Sequence, residues 1–119
     1  MAKLVLLAED EMFIALDLQI TLEEAGCTVI GPLATLDETL SALDDLKDTK
    51  LTAALLDVRL ADRDIFPAAD RLHQAGVPLL FHSAHADEHI LHQRYPEAAI
   101  FPKPCTLDEL YQVIRRIVE

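Results

Sequence analysis

The chain has 119 residues, 51% of them apolar, and a formal net charge of −11 at neutral pH. That length suits one compact domain that buries roughly two-thirds of its unfolded surface, and it leaves no room for a second. The acidic balance argues against direct contact with nucleic-acid phosphates, which needs clustered Lys and Arg; the apolar runs are far shorter than the roughly 20 residues of a membrane span, and the opening one meets Glu9-Asp10-Glu11 too early for a signal peptide, so a cytoplasmic protein without a membrane partner is expected.

Leu4–Ala8 reads as a buried strand, followed by Ile14, Leu18, Leu22 and Ala25 at helical spacing up to Gly26, a natural helix stop. Cys27–Ile30 is a short second strand and Gly31-Pro32 a break. Thr35-Leu36-Asp37-Glu38 is a capping box that opens a helix through about Leu46, with a polar connection up to Lys50. Thr52–Leu56 is a third strand, and Pro67 near the start and Gly76 just past the end frame the next helix. Val77–Phe81 is the fourth strand. The stretch Ala86–Arg94 offers only Ile90, Leu91 and Tyr95 as an apolar face before Pro96 cuts it off, which predicts a short or mobile helix. Ala98–Phe101 is the fifth strand. A second capping box, Thr106-Leu107-Asp108-Glu109, opens a terminal helix with Leu107, Leu110, Ile114 and Ile117 on one face. Cys27 and Cys105 lack the spacing of a zinc or redox motif and sit among apolar neighbours, as buried free thiols do.

Strands alternating with helices predict an α/β fold, a doubly wound five-stranded parallel sheet joined by right-handed crossovers. The flavodoxin-like strand order 2-1-3-4-5 sets the first and third strands side by side at the switch point, where such sheets bind ligands. Four of the runs hand over to a reactive group near their carboxyl ends: Glu9 and Asp10, Asp57, Ser83 and Lys103. Three carboxylates in one crevice repel, at roughly 4 kcal/mol for a pair about 4 Å apart. A hard divalent cation such as Mg²⁺ would compensate, held by Glu9, Asp10, Asp57 and a backbone carbonyl just past Asp57, such as that of Arg59. With Lys103 as a mobile cation and Ser83 as a hydroxyl, the set suits phosphoryl transfer, with Asp57 as the nucleophile forming an acyl phosphate.

The segments Leu6-Leu7-Ala8-Glu9-Asp10-Glu11, Leu55-Leu56-Asp57-Val58-Arg59-Leu60, Phe81-His82-Ser83-Ala84 and Phe101-Pro102-Lys103-Pro104 resemble, in order and spacing, the receiver domain of two-component response regulators. The resemblance covers residues 1–119. It implies that Asp57 accepts phosphate from a sensor histidine kinase, that Glu9 and Asp10 serve the metal, and that Ser83 and Lys103 contact the phosphoryl group, with the small Ala84 leaving it room. At the fourth strand, Phe81-His82-Ser83-Ala84-His85 is similar to the Phe-x-Thr-Gly-Tyr signature of a stand-alone receiver subgroup, sharing Phe81 alone. Receivers usually carry Tyr or Phe three residues before the lysine as a switch; here that place holds Ile100, and Phe101 should face the other side of the strand.

His82, His85, His89 and His92 crowd one region, but without the His-Glu-x-x-His pattern, and a polar, solvated face is the expected reading. No output domain is expected. The expected function is therefore that of a phosphoryl-accepting, non-enzymatic signalling domain that contacts a downstream effector or phosphotransfer protein, or serves as a phosphate sink or shuttle. A phosphorylation-independent pseudo-receiver is the alternative. A Mg²⁺-dependent phosphohydrolase of the haloacid-dehalogenase type would need a second acid two residues after Asp57, where Arg59 stands.

Overall fold

The computed structural model describes residues 3–103 and 105–118. Its elements, in chain order, are β1 (Lys3–Ala8), α1 (Met12–Glu24), β2 (Cys27–Leu33), α2 (Leu36–Asp45), β3 (Ala53–Asp57), α3 (Phe66–Gln74), β4 (Leu79–Ser83), a single 3₁₀ turn (His85–Asp87), α4 (Glu88–Arg94), β5 (Ala99–Pro102) and α5 (Leu107–Val118). The strands form one parallel sheet in the order β2-β1-β3-β4-β5. This is the doubly wound arrangement that the alternation of patterns predicts.

The central strands are buried on both faces because helices cover both. Leu6, Leu56 and Phe81 join Leu36, Leu43, Ile65, Leu72, Leu91 and Tyr95 in one core. Val5, Leu7, Leu55, Leu80 and Phe101 join Leu18, Leu22, Leu110 and Ile114 in the other. Ile100 and Phe101 thus point to opposite cores, as strand alternation requires. Cys27 is buried, whereas Cys105 is only half-buried, and both are free thiols.

Three strands end later than the apolar runs suggest, so that Asp57 and Ser83 are themselves the last residues of β3 and β4, and Pro102 that of β5. At the other end, β4 begins at Leu79 because Pro78 has no amide to donate to the ladder. The largest difference lies in β2, which continues through the expected break at Gly31-Pro32 to Leu33. The ladder shifts register there, from Leu6 opposite Ile30 to Ala8 opposite Leu33, and the Glu9 amide then donates to the Leu33 carbonyl at 3.0 Å. Gly31 permits this passage: its φ is +118°, and a Cβ would run into the Leu7 carbonyl oxygen.

Both caps form. Thr35 Oγ1 accepts from the Glu38 amide at 3.0 Å and Thr106 Oγ1 from the Glu109 amide at 3.1 Å, while the Glu38 carboxylate accepts from the Ala34 amide at 3.1 Å. In α5, Leu110 and Ile114 are buried, but Leu107 in the first turn is 45% exposed and leaves the predicted face. Helix α1 is apolar almost all round: Leu18 and Leu22 face the sheet, while Met12, Phe13, Leu16 and Ile20 are exposed. Helix α4 has seven residues, of which only Leu91 is buried. Its far end is secured by Tyr95, which stacks on Phe81 at 5.2 Å between centroids and donates from its hydroxyl to Asp70 Oδ1 at 2.6 Å.

Candidate functional site

Parallel strands bring their carboxyl ends to one edge, and the register sets the site there: Ala8 lies opposite Leu56, Asp57 opposite His82, and Ser83 opposite Pro102. Glu9 follows β1 directly and is buried, as is Asp57. Glu9 Oε2 accepts from the Glu11 amide at 3.2 Å, which holds the turn out of β1. Asp57 Oδ1 lies 3.4 Å from the Arg59 amide. Lys103, half-buried, is placed by its own amide, which donates to the Ser83 carbonyl at 2.8 Å; its Nζ lies 3.1 Å from Asp57 Oδ2 and 3.7 Å from Glu9 Oε1. Pro104, which the motif includes, lies outside the described residues.

The electrostatics follow from this crowding. Burial and the neighbouring Glu9 charge raise Asp57 from its ordinary 3.8 to about 6, against the attraction of Lys103. Burial also acts to raise Glu9, but His82, the Glu11 amide, Asp57 and Lys103 together outweigh it and hold Glu9 down at about 2. The two carboxyls titrate as a pair, and one ammonium does not neutralise them. Lys103 is itself raised, because its hydrogen bond and attraction to Asp57 exceed the cost of its burial.

Glu9, Asp10 and Asp57 bring one oxygen each to within 4.8 Å of one another. Glu9 Oε1 is buried without a hydrogen-bond partner among the described residues. Hard oxygen donors with an unsatisfied buried carboxylate oxygen fit a divalent cation. Ser83 Oγ is likewise buried and unpartnered, a free hydroxyl at the same edge. The arrangement therefore offers a carboxylate nucleophile, one mobile ammonium, one hydroxyl and a cation-binding oxygen set.

Two residues of this region escape a reading by motif. His82 is not on the solvated face expected of the four clustered histidines; it is buried beneath the site, with Nδ1 3.8 Å from Glu9 Oε1. Its place as the β4 residue opposite Asp57, on the same face of the strand as the buried Leu80, is the signal that marks it. His85, His89 and His92 are exposed as expected, and His85 Nδ1 lies 3.2 Å from a Glu88 oxygen. The other is Asp87, which is buried and paired with Arg59 at 3.0 Å. Nothing in its sequence neighbourhood distinguishes it from an ordinary first-turn acid.

A doubly wound 2-1-3-4-5 sheet with acids after β1, an aspartate ending β3, a hydroxyl ending β4 and a lysine after β5 is the arrangement of a receiver domain. Comparison with known proteins agrees. The chain is 32% identical over 106 residues to the phyllosphere-induced regulator PhyR of Methylorubrum extorquens, matching 87% of this chain and 39% of that one. Among solved structures, the non-phosphorylated HemR receiver domain from Leptospira biflexa superposes with a TM-score of 0.82 at 26% identity, covering 98% of this chain and 94% of that one. The response regulator PhyR from Brucella abortus superposes with a TM-score of 0.80 at 29% identity, covering 99% of this chain and 48% of that one. No family model matches the chain. The chain resembles the response-regulator receiver domains in fold and in sequence, and it spans about two-fifths of the length of the curated relative it matches. No described helix is long and apolar enough to cross a membrane.

Proposed function

We propose that Asp57 is the phosphoacceptor and that a sensor histidine kinase is the donor. An Asp57 carboxylate oxygen attacks the phosphorus of a phosphohistidine, the nitrogen–phosphorus bond breaks, and the imidazole leaves with the electron pair and takes up a proton. The observation that carries this reading is the setting of Asp57: it ends a buried strand, with Oδ2 3.1 Å from Lys103 Nζ and a carboxylate oxygen within 4.8 Å of oxygens from Glu9 and Asp10. Glu9, Asp10 and Asp57, with the main-chain carbonyl of Arg59, would hold Mg²⁺, which supplies charge neutralisation for the transferring group. Lys103 sits where it can follow the charge from carboxylate to phosphoryl, and Ser83 Oγ can donate to a phosphoryl oxygen.

The output is a surface. The weakly anchored 3₁₀ turn and α4, with β5 and α5, are the region whose population shifts on phosphorylation, contacting an effector or a phosphotransfer protein; a phosphate sink or shuttle uses the same chemistry. Intact mass after incubation with a small phosphodonor, with and without Mg²⁺, tests the acceptor. One phosphoryl group on the parent and none on Asp57→Asn is expected. No gain on the parent favours a phosphorylation-independent pseudo-receiver, and an equal gain on the variant moves the acceptor elsewhere.

A further inference from the structure

Arg59 stands two residues past Asp57, its amide 3.4 Å from Asp57 Oδ1, yet among the described residues its side chain pairs with Asp87 rather than with Glu9, Asp10 or Asp57. The side chain crosses from the loop after β3 to the 3₁₀ turn after β4, where Nη2 donates to Asp87 Oδ1 at 3.0 Å. The exposures are unequal: 72% for the Arg59 side chain and 11% for that of Asp87. Asp87 immediately precedes α4 but makes no cap hydrogen bond, so the guanidinium is its one ion-pair partner among the described residues. A nearly buried carboxylate that loses its cation must find water or move. One guanidinium group therefore ties the start of α4 to the loop that follows Asp57.

We propose that Arg59 is a phosphoryl-binding residue held in reserve by Asp87: when Asp57 carries a phosphoryl group, the guanidinium leaves Asp87 for the phosphoryl oxygens and releases the 3₁₀ turn and α4. This deepens the acceptor reading and rests on it. Phosphorylation adds about −1.5 to −2 charges to the edge, where Lys103 is already engaged by Asp57 and Glu9. The planar guanidinium fork matches phosphoryl oxygens in bidentate geometry. Because the side chain springs from the residue whose amide already faces Asp57, rotation about its own bonds suffices to bring the guanidinium over. Phosphoryl and Asp87 then compete for one cation, and the competition is reciprocal.

That reciprocity sets opposite signs for two substitutions. Beryllofluoride with Mg²⁺ serves as the probe, its binding followed by fluorine NMR and the backbone response by amide exchange over residues 84–94. Asp87→Asn frees the guanidinium and should bind beryllofluoride about 5-fold or more tightly than the parent, whereas Arg59→Gln should bind it more weakly. In the parent the probe should speed exchange over 84–94. In both variants exchange there should be fast beforehand and unchanged by the probe. Loss of a merely structural ion pair would shift affinity in the same direction for both variants. Unchanged or weaker binding by Asp87→Asn, or a parent-like gain in exchange for Arg59→Gln, overturns the exchange of partners alone; failure of the parent to bind the probe overturns the acceptor reading together with it.

Discussion

Substituting Asp57 by Asn should stabilise the metal-free protein, although it removes the proposed reactive group. Burial and the Glu9 charge raise Asp57 from 3.8 to about 6. A group raised on folding holds its proton more tightly in the folded state than in the unfolded chain. Its contribution to stability is full below pH 3.8 and is lost as pH rises through about 6. At about 1.4 kcal/mol per unit, a rise of about 2 units makes the ionised carboxylate cost about 3 kcal/mol relative to a neutral isostere. Asp57→Asn should therefore exceed the parent by up to about 3 kcal/mol at pH 7.5, or roughly 10 °C in melting temperature for a domain of this size. The gap should close towards pH 4. Urea unfolding of both proteins from pH 4 to pH 8 in the presence of a chelator measures it, and millimolar Mg²⁺ should narrow it by stabilising the parent. Equal stability at pH 7.5, or a gap that does not change with pH, would refute the claim that uncompensated repulsion dominates this crevice.

Lys103→Met should cost about 3 kcal/mol at pH 7 by leaving two buried carboxylates without their ammonium, and most of that loss should disappear in the Lys103→Met, Asp57→Asn double variant, a non-additivity that urea unfolding of the four proteins reads directly. Gly31→Ala should destabilise by well over 1 kcal/mol, because the new Cβ meets the Leu7 carbonyl as well as a positive φ. Gly26→Ala, with φ +90° and open space around it, should lose only about 1 kcal/mol in the same denaturation assay. Tyr95→Phe removes the 2.6 Å hydrogen bond to Asp70 while keeping the ring stack; about 1 kcal/mol should be lost, with faster amide exchange confined to the end of α4.

The fold was legible because most elements announce themselves locally: a period-3.6 pattern ending at Gly26, Pro67 and Gly76 framing another helix, two threonine caps that form, and short apolar runs that only a doubly covered sheet can bury. The candidate site was legible for the same reason, since Asp57, Ser83 and Lys103 are tied to strand ends by the backbone itself. What stayed hidden depends on contacts between segments distant in the chain. The continuation of β2 past Gly31-Pro32 needs the β1 ladder to accept a register shift. The burial of His82 depends on which face of β4 lies over α1 and α5. The pairing of Asp87 with Arg59 links residues 28 apart, and neither carries a local pattern that names the other.

The absence of an aromatic residue at Ile100 changes where a signal can travel. Asp57 and Ser83 end strands whose residues are all buried, and such elements give way last when a domain opens locally. Beyond β4 the attachment is thin. The chain is held at Ser83, whose carbonyl accepts from the Lys103 amide, and again at Tyr95, wedged against Phe81 and bonded to Asp70. Between those two points the buried side chains are Asp87 and Leu91, the first retained by an arginine that is itself mostly exposed. Ile100 is half-buried and packs against the same core as Tyr95, so β5 has no inward-swinging ring to transmit a movement of Ser83. On the proposed function, a charge added at Asp57 should therefore act most strongly on residues 84–94, bounded by a strand end on one side and an aromatic anchor on the other. The absence of the usual relay and the thin attachment of α4 point to the same segment.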